Sequence, residues 1–471
     1  MPDDPLTAPF AGRALHFVGI GGAGMSGLAL VARELGASVT GSDQAESSYS
    51  ERLRASGIEP IIGHDAANLP AGAELVVSTA IPGDNVELAA ARDAGARVLH
   101  RSDLLAELSR MKRTIAVSGT HGKTTTASMA ALALIETGRE PTFLIGGELQ
   151  AGGTNAGWGA GEWAVIEADE SDRSFLALER EVAVVTNVEL DHHATYGSLS
   201  ELEEAFGEFT APASVRVLGP DVDLPGEGDP VTFGIETGSL SAHDVTLGRG
   251  RSRFRVVNGH AGSGAGGGSG VGGGSGADAG GVEVELAVPG AHNVLNALAA
   301  LAALRAAGVP VAEAAPALAK FRGSGRRFES HGRSESGAEV YDDYAHHPTE
   351  VRATLEAART LEPRRLVACF QPHLYSRTQM LAREFGRALA LADLIVVLDV
   401  YRARERPEDF PGVSGYLVAE AAADAAGGRP VWWLPTLDEA ERELRGELAE
   451  GDLLLTIGAG NVDELARRLA R

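Results

Sequence analysis

The run Gly119-Thr-His-Gly-Lys-Thr-Thr-Thr126 has the residue types and order of a phosphate cradle. An apolar stretch, Thr114 to Val117, precedes it, and a helix-like stretch, Ala127 to Thr137, follows. Between a strand and a helix, a glycine turn aims backbone N–H groups and the helix N-terminus at an anion, and a lysine reaches the outer oxygens. Gly119, Thr120, His121, Gly122, Lys123, Thr124 and Thr125 are therefore the candidate phosphate contacts. The loop is shorter than a Walker A loop, which has a glycine where this chain has Val117. The chain contains only three lysines, Lys112, Lys123 and Lys320, among 41 cationic side chains. Lysine at 123 thus answers a local demand for a compact ammonium, which a guanidinium meets poorly.

Further chemistry-bearing residues stand at strand ends. Glu167-Ala-Asp169-Glu170-Ser-Asp172 follows the buried-strand pattern Trp163 to Ile166. A carboxylate beside a phosphate cradle suits a hard cation such as Mg2+, and Glu167, Asp169, Glu170 and Asp172 are the candidates. Asp191, His192 and His193 follow another strand, Val182 to Thr186, as a second metal site or a contact to a terminal phosphate. Gly19-Ile-Gly-Gly-Ala-Gly24 fits G-x-G-x-x-G after a first strand, with Asp43 closing the next strand. Its physical content is close approach of backbone to a diphosphate, so NAD and other nucleotide diphosphates both fit, as does a purely structural turn. Asn293 and Asn296, three apart on a helix, suit a purine edge or simple polar packing. Arg326 and Arg327 follow glycines and read as an anion clamp or a solvated linker. Asp342-Asp343-Tyr344-Ala-His346-His347 and Phe370-Gln-Pro-His373-Leu-Tyr-Ser-Arg377 end two further strands, where parallel sheets bind ligands. Zinc is disfavoured there, because no cysteine accompanies the histidines and their spacing is not that of a zinc site.

These residues require a scaffold of alternating strands and helices, hence parallel α/β sheets. Strand-like runs begin at Ala14, Ala37, Leu75 and Arg97, then at Thr114, Trp163 and Val182. The region from Val215 to Val288 is strand-rich and is closed by a helix-like run, Ala291 to Ala307. A last group is expected at Glu339, Leu366, Leu394, Val431 and Asp452. Domains are expected over 1–109, 110–324 and 325–471, with a Gly/Ser-rich insert at 260–281 that cannot pack a core and should be a dispensable, mobile loop.

Composition sets the outer bounds. A chain of 471 residues exceeds one ordinary core, and 44% apolar content is that of a globular protein. A net charge of −24 argues against nucleic-acid or anionic-membrane binding. No apolar run approaches the ~18 residues of a bilayer span. The N-terminal residues lack a signal-peptide pattern, and the single cysteine, Cys369, lies in an apolar strand-like run. A cytoplasmic protein with no obligate protein partner is expected.

GIGGAGMSG, GTHGKTTT, EADESD, HNVLNA, GSGRRF, DDYAHHPTE, FQPHLYSRT and GAGN occur here in one order, and with them the chain resembles the Mur ligase family from Ala14 to its end. The resemblance implies a three-domain α/β fold: an N-terminal Rossmann-like UDP-binding domain, a central P-loop ATPase-like mixed sheet and a C-terminal Rossmann-like domain. It implies an ATP- and Mg2+-dependent amide synthesis in peptidoglycan assembly, with two ions and Mn2+ as an acceptable substitute. In the alanine-adding branch, UDP-N-acetylmuramate, L-alanine and ATP are the substrates. The resemblance assigns Gly21, Gly22, Gly24, Asp43, Ser78 and His121 to the UDP-substrate, and the cradle with Asn293, Asn296, Arg327 and Asp343 to ATP. It assigns Thr124, Glu167 and His192 to metal, and Lys123, His192, His347, His373 and Arg377 to the reaction. Other branches carry a lysine soon after the metal histidine, but here none lies between Lys123 and Lys320. Leu374 stands where relatives often have arginine. A ligase joining a whole tripeptide is the near alternative, an NAD-dependent dehydrogenase the distant one, and a nucleotide switch the non-enzymatic one.

Overall fold

The computed structural model describes residues 8–149, 153–193, 195–259, 281–403 and 405–470. The expected mobile insert thus lies outside the described residues except for Gly281. The described residues form three sheets of five, ten and six strands, in two compact units. The first unit comprises 1–243, 255–283 and 295–318, and the second comprises 244–254, 284–294 and 319–471.

The first unit opens with β1 (Ala14–Val18), β2 (Ser38–Asp43), β3 (Ile61–Ile62), β4 (Glu74–Val77) and β5 (Val98–His100), in the order β3-β2-β1-β4-β5 with every pair parallel. Helices α1 (Ala23–Glu34), α2 (Ser50–Ala55), α3 (Val86–Asp93) and α4 (Arg101–Ser109) connect or follow them. Strand order reverses at β1, so the glycine turn after β1 and Ser78 after β4 share the crevice that such sheets offer to ligands. β1 stops at Val18, where the glycine turn begins. Gly19 takes φ +78°, and its N–H and that of Ile20 both bond to Ser42 O.

The second sheet contains β6 (Arg113–Ser118), β7 (Thr142–Leu149), β8 (Thr154–Gly157), β9 (Trp163–Glu167), β10 (Val182–Val185), β11 (Val215–Leu218) and β12 (Val231–Ile235), in the order β12-β11-β10-β6-β9-β7-β8. β13 (Leu240–Gly248), β14 (Arg251–Asn258) and β15 (Val282–Leu286) complete it. β6 lies between β9 and β10, both parallel to it, β7 is parallel to β9, and only β8, at the edge beyond β7, runs antiparallel to its neighbour among these strands. Ile115, Ala116 and Val117 of β6 are fully buried, as a strand covered on both faces requires. Helix α5 (Lys123–Glu136) follows the cradle and buries nearly its whole length, including Thr124, Thr125 and Thr126. One apolar cluster joins Phe17, Leu28 and Val31 of the first sheet's layer to Ala156, Ile166 and Phe206 of the second, which holds the first sheet and strands β6–β12 in one unit.

The second unit holds β16 (Glu329–Arg333), β17 (Glu339–Asp343), β18 (Arg365–Phe370), β19 (Leu394–Val397), β20 (Val431–Trp433) and β21 (Asp452–Ile457), in the order β16-β17-β21-β18-β19-β20. Only β16, at the edge, runs antiparallel to its neighbour. The strands β3, β7, β8 and β16 carry no clear period in the sequence and lie outside its expected strand runs.

A buried polar hub supports the first glycine turn. The Glu87 carboxylate accepts from Ser42 Oγ at 2.7 Å and Asn68 Nδ2 at 2.8 Å, and lies 3.1 Å from His16 Nε2. His16 and Glu87 are fully buried. Burial alone would raise the Glu87 carboxyl, but the hydrogen bonds from His16, Ser42 and Asn68 outweigh it and hold the group down at about 2. A depressed carboxyl stabilises the fold above its usual value of 4.5, and that stability is lost as pH falls towards 2. Glu87→Gln should therefore cost about 3 kcal/mol at neutral pH. The gap in melting temperature between variant and wild type should narrow as pH falls from 4.5 towards 3. Calorimetric scans across that range give the check, and a pH-independent gap would remove the ionised carboxylate from the account.

Candidate active site

The cradle has the left-handed backbone that its glycines permit. Gly119 has φ +122°, and Gly122, the N-cap of α5, has φ +83°. The loop is tied to the segment after β10. Thr120 N–H donates to Asn187 O at 3.1 Å, Thr120 Oγ1 donates to Glu189 O at 2.9 Å, and His121 N–H donates to Asn187 Oδ1 at 2.9 Å. His121 Nε2 lies 3.1 Å from Glu189 Oε2, so this ring is held by a carboxylate of the third strand end.

Lys123 turns back over the loop. Its Nζ donates to Gly119 O at 2.7 Å, Thr120 O at 3.1 Å and Glu170 Oε1 at 3.0 Å, and its side chain is 14% exposed. Burial would lower the ammonium, but Glu170, Asp169 and Glu167 more than offset it and hold it above the usual lysine value. Glu167, the last residue of β9, accepts from Thr124 Oγ1 at 2.9 Å and Gly146 N–H at 2.6 Å. Its carboxyl is raised by burial, against the pull of Gly146 and Lys123.

His192, at φ +54°, places Nε2 3.3 Å from Glu170 Oε1. Asp169, Glu170 and His192 offer ligand atoms all within 4.8 Å of one another. The resemblance pairs His192 with Glu167; in the structure His192 Nε2 lies near Glu170, which also holds Lys123, and 3.9 Å from Asp191. Thr124 Oγ1 and Glu167 are in direct contact, and Asp169, Glu170 and His192 form a separate cluster. Oxygen donors with one imidazole are of the kinds that suit Mg2+ or Mn2+.

In the first glycine turn, Gly21 N–H donates to Asp43 Oδ2 at 2.8 Å, which fixes Asp43 at the end of β2. Gly22 caps α1, and Gly24 lies in its first turn. Neither has positive φ, and among the turn's glycines only Gly19 does. Gly21 leaves little room, since a Cβ there would stand 2.9 Å from Ser47 Oγ and 3.0 Å from Asp43 Oδ2 and would press on the side chain its own N–H holds. A cavity of about 120 Å3 runs from Ala23, Gly24 and Gly27 of α1, past Arg101 of α4, to Glu167 and Asp169. It links the start of α1, just after the first glycine turn, to the acidic strand end inside one unit. Arg101 Nη2 donates to Asp169 Oδ2 at 3.0 Å.

The two asparagines part company. Asn296 belongs to the first unit, where its Oδ1 lies 3.4 Å from Thr126 Oγ1 and 2.3 Å from where a Gly122 Cβ would stand. Asn293 belongs to the second unit, and its Nδ2 donates to Pro289 O at 2.7 Å.

In the second unit, Asp343 ends β17 and accepts from Phe328 N–H and Ala345 N–H, each at 2.8 Å. Burial pushes its carboxyl up to about 6, against Arg327 and those two N–H donors. Arg327 lies over the Tyr344 ring at 5.2 Å and 3.8 Å from Glu350. Arg326 is structural, gripping Asp342 and the carbonyls of Gly458 and Gly460. His347 caps the helix Pro348–Arg359 in a capping box with Glu350. His373 stacks on Tyr401 with centroids 5.8 Å apart, and its Nδ1 lies 3.4 Å from Nη1 of the buried Arg377. Leu374 has φ +71° and opens the helix Tyr375–Leu389.

Asn187, Glu189, Arg101 and Tyr401 were missed by the sequence reading. All four stand at or just after strand ends, which was the one available signal.

Three family models match successive parts of the chain. The model of the Mur ligase family, catalytic domain, matches residues 14–113, the Mur ligase middle domain 117–304, and the Mur ligase glutamate ligase domain 326–460. The chain is 46% identical over 470 residues to UDP-N-acetylmuramate–L-alanine ligase of Streptomyces coelicolor, covering 96% of each. It is 44% identical to the protein of the same name from Acidithiobacillus ferrooxidans, again covering 96% of each. Among solved structures, UDP-N-acetylmuramate-alanine ligase of Thermotoga maritima superposes with a TM-score of 0.81 at 31% identity, over 97% of this chain and 98% of that one. The murein peptide ligase of Psychrobacter arcticus gives 0.70 at 25%, over 97% and 98%. With its three α/β parts matched in order and nearly its whole length covered by these relatives, the chain belongs to the Mur ligase family.

Proposed function

We propose that this enzyme joins L-alanine to UDP-N-acetylmuramate at the expense of ATP, in peptidoglycan synthesis. A carboxylate oxygen of the sugar acid attacks the γ-phosphorus, and ADP leaves with the electrons of the broken P–O bond. The alanine amine then attacks the acyl carbon, phosphate leaves, and the amine nitrogen gives up a proton. The observation that carries this reading is the cavity joining Gly24 to Glu167 and Asp169, because a UDP-linked acid must reach from a diphosphate turn to a phosphoryl cradle. The relatives' names favour alanine over a tripeptide as the nucleophile.

The residue roles follow the family resemblance. Gly21, Gly22, Gly24, Asp43 and Ser78 hold the UDP moiety. The cradle residues from Gly119 to Thr125 hold the ATP phosphates, and Lys123 screens the γ-phosphoryl group. Asn293, Asn296, Arg327 and Asp343 serve the nucleotide. His347, His373 and Arg377 serve the amino acid, with Arg377 pairing its carboxylate in a charge-assisted bond. Thr124, Glu167 and His192 would hold Mg2+, which neutralises charge between two anions that must meet. The domain limits are 1–109, 110–324 and 325–471. No helix among the described residues is long and apolar enough to cross a membrane, and we place the enzyme in the cytoplasm.

Release of ADP should require the sugar acid together with free L-alanine. Release with the tripeptide but not with alanine would move the chain to the recycling branch.

A further inference from the structure

Arg101 has no role in the assignments above, yet it holds a distinctive position. It is the first residue of α4, directly after β5, and it lines the cavity between the glycine turn and the acidic strand end. Among the described residues, three charged side chains line that cavity: Arg101, Glu167 and Asp169. The one cation among them faces two carboxylates, in a space that the proposed substrate enters carrying a diphosphate and a carboxylate. Either group meets repulsion from Glu167 and Asp169 unless a cation accompanies it.

The guanidinium is aimed at both ends of the cavity. Nη2 donates to Asp169 Oδ2 at 3.0 Å, on the phosphoryl side. Nη1 packs against the first turn of α1, 3.2 Å from where a Gly24 Cβ would stand. The side chain is 24% exposed, and its partner is 39% exposed. An ion pair this accessible is weak by itself and can be traded. A planar fork with several donors can take a substrate oxyanion while still touching Asp169.

We propose that Arg101 is a substrate-binding residue that receives an oxyanion of the UDP-sugar acid and exchanges part of its bond to Asp169 for it. This inference rests on the proposed function, and it adds a residue that ties recognition of the sugar nucleotide to the acidic strand end.

The test uses the full-length enzyme with steady-state kinetics in all three substrates. Arg101→Ala should raise the KM for the UDP-sugar acid by about 10–100-fold, the range for losing a charged hydrogen-bond partner. The KM values for ATP and alanine should stay near wild type. Arg101→Lys keeps the charge without the fork and should fall in between, which covers the case in which the alanine variant folds poorly. UDP as a competitive inhibitor separates the two oxyanions. A UDP inhibition constant that rises in parallel with KM assigns Arg101 to the diphosphate, whereas an unchanged constant assigns it to the carboxylate. Asp169→Asn breaks the same ion pair from the other side and should not raise the sugar-acid KM. An equal rise in that variant would mean that Arg101 acts only through Asp169, and the inference would fall. It would also fall if Arg101→Ala and Arg101→Lys both kept a wild-type KM for the sugar acid. A wild-type enzyme that released no ADP with sugar acid and alanine would instead defeat the proposed function.

Discussion

Lys123→Arg should lower kcat/KM by about 10²-fold or more while leaving the chain folded. The geometry makes the demand specific. The ammonium's three donors point at Gly119 O, Thr120 O and Glu170, inside a loop whose own carbonyls form the walls. A guanidinium is planar and wider, and it cannot direct three donors from one atom into that space. On the proposed reading, a compact ammonium would keep its two carbonyls and turn from Glu170 to a phosphate by a small rotation. Arginine retains the charge, so a large loss would separate geometry from electrostatics. Coupled ADP-release assays beside circular dichroism measure both. Turnover within a few-fold of wild type would take Lys123 out of the chemistry.

The sequence displayed the strand–turn–helix of the cradle because the apolar run, the glycines and the helix each have a local signature. The same holds for Asp43, which the register of β2 places at the strand end. Selection among neighbouring polar residues was not legible. Glu167, Asp169 and Glu170 are close in the chain, yet Glu167 turns to Thr124 and Gly146 while Glu170 turns to Lys123 and His192. That sorting depends on β7 and α5, which are remote in sequence. His121 likewise pairs with Glu189, 68 residues away.

Some structure also has a purely local signature. His347-Pro-Thr-Glu350 is a helix start, with proline at the first position and an acid two residues later, and the capping box follows from it. Asn293 and Asn296 share a helix, but they meet a carbonyl of the preceding turn and α5 respectively. Leu374, noted only as a departure from arginine, has a backbone that leucine rarely adopts, with its N–H on Tyr401 O and its carbonyl accepting from Thr378. Backbone held in such a region marks a place that the surrounding fold over-determines.

Gly119→Ala should abolish measurable ADP release and lower stability by about 2–4 kcal/mol. Two independent costs combine. The residue has φ +122°, which L side chains rarely adopt. Its Cβ would stand 2.1 Å from Thr186 Oγ1 and, more seriously, 2.8 Å from the Thr186 backbone nitrogen. A side chain can rotate away, but that nitrogen donates to Ser118 O at 3.0 Å and anchors the end of β10 beside β6. Making room therefore pulls the Asn187–Glu189 segment from the cradle, and with it the bonds that hold Thr120 and His121. Nucleotide binding should fail along with turnover, which fluorescence titration with an ATP analogue reads directly. Gly446→Ala provides the contrast. That glycine lies within the helix Leu437–Glu447, and a Cβ there meets nothing within 4 Å. It should leave turnover unchanged and raise stability by up to about 1 kcal/mol through helix propensity. If Gly119→Ala behaved like Gly446→Ala, the cradle's contact with Thr186 would not be what shapes the phosphate site.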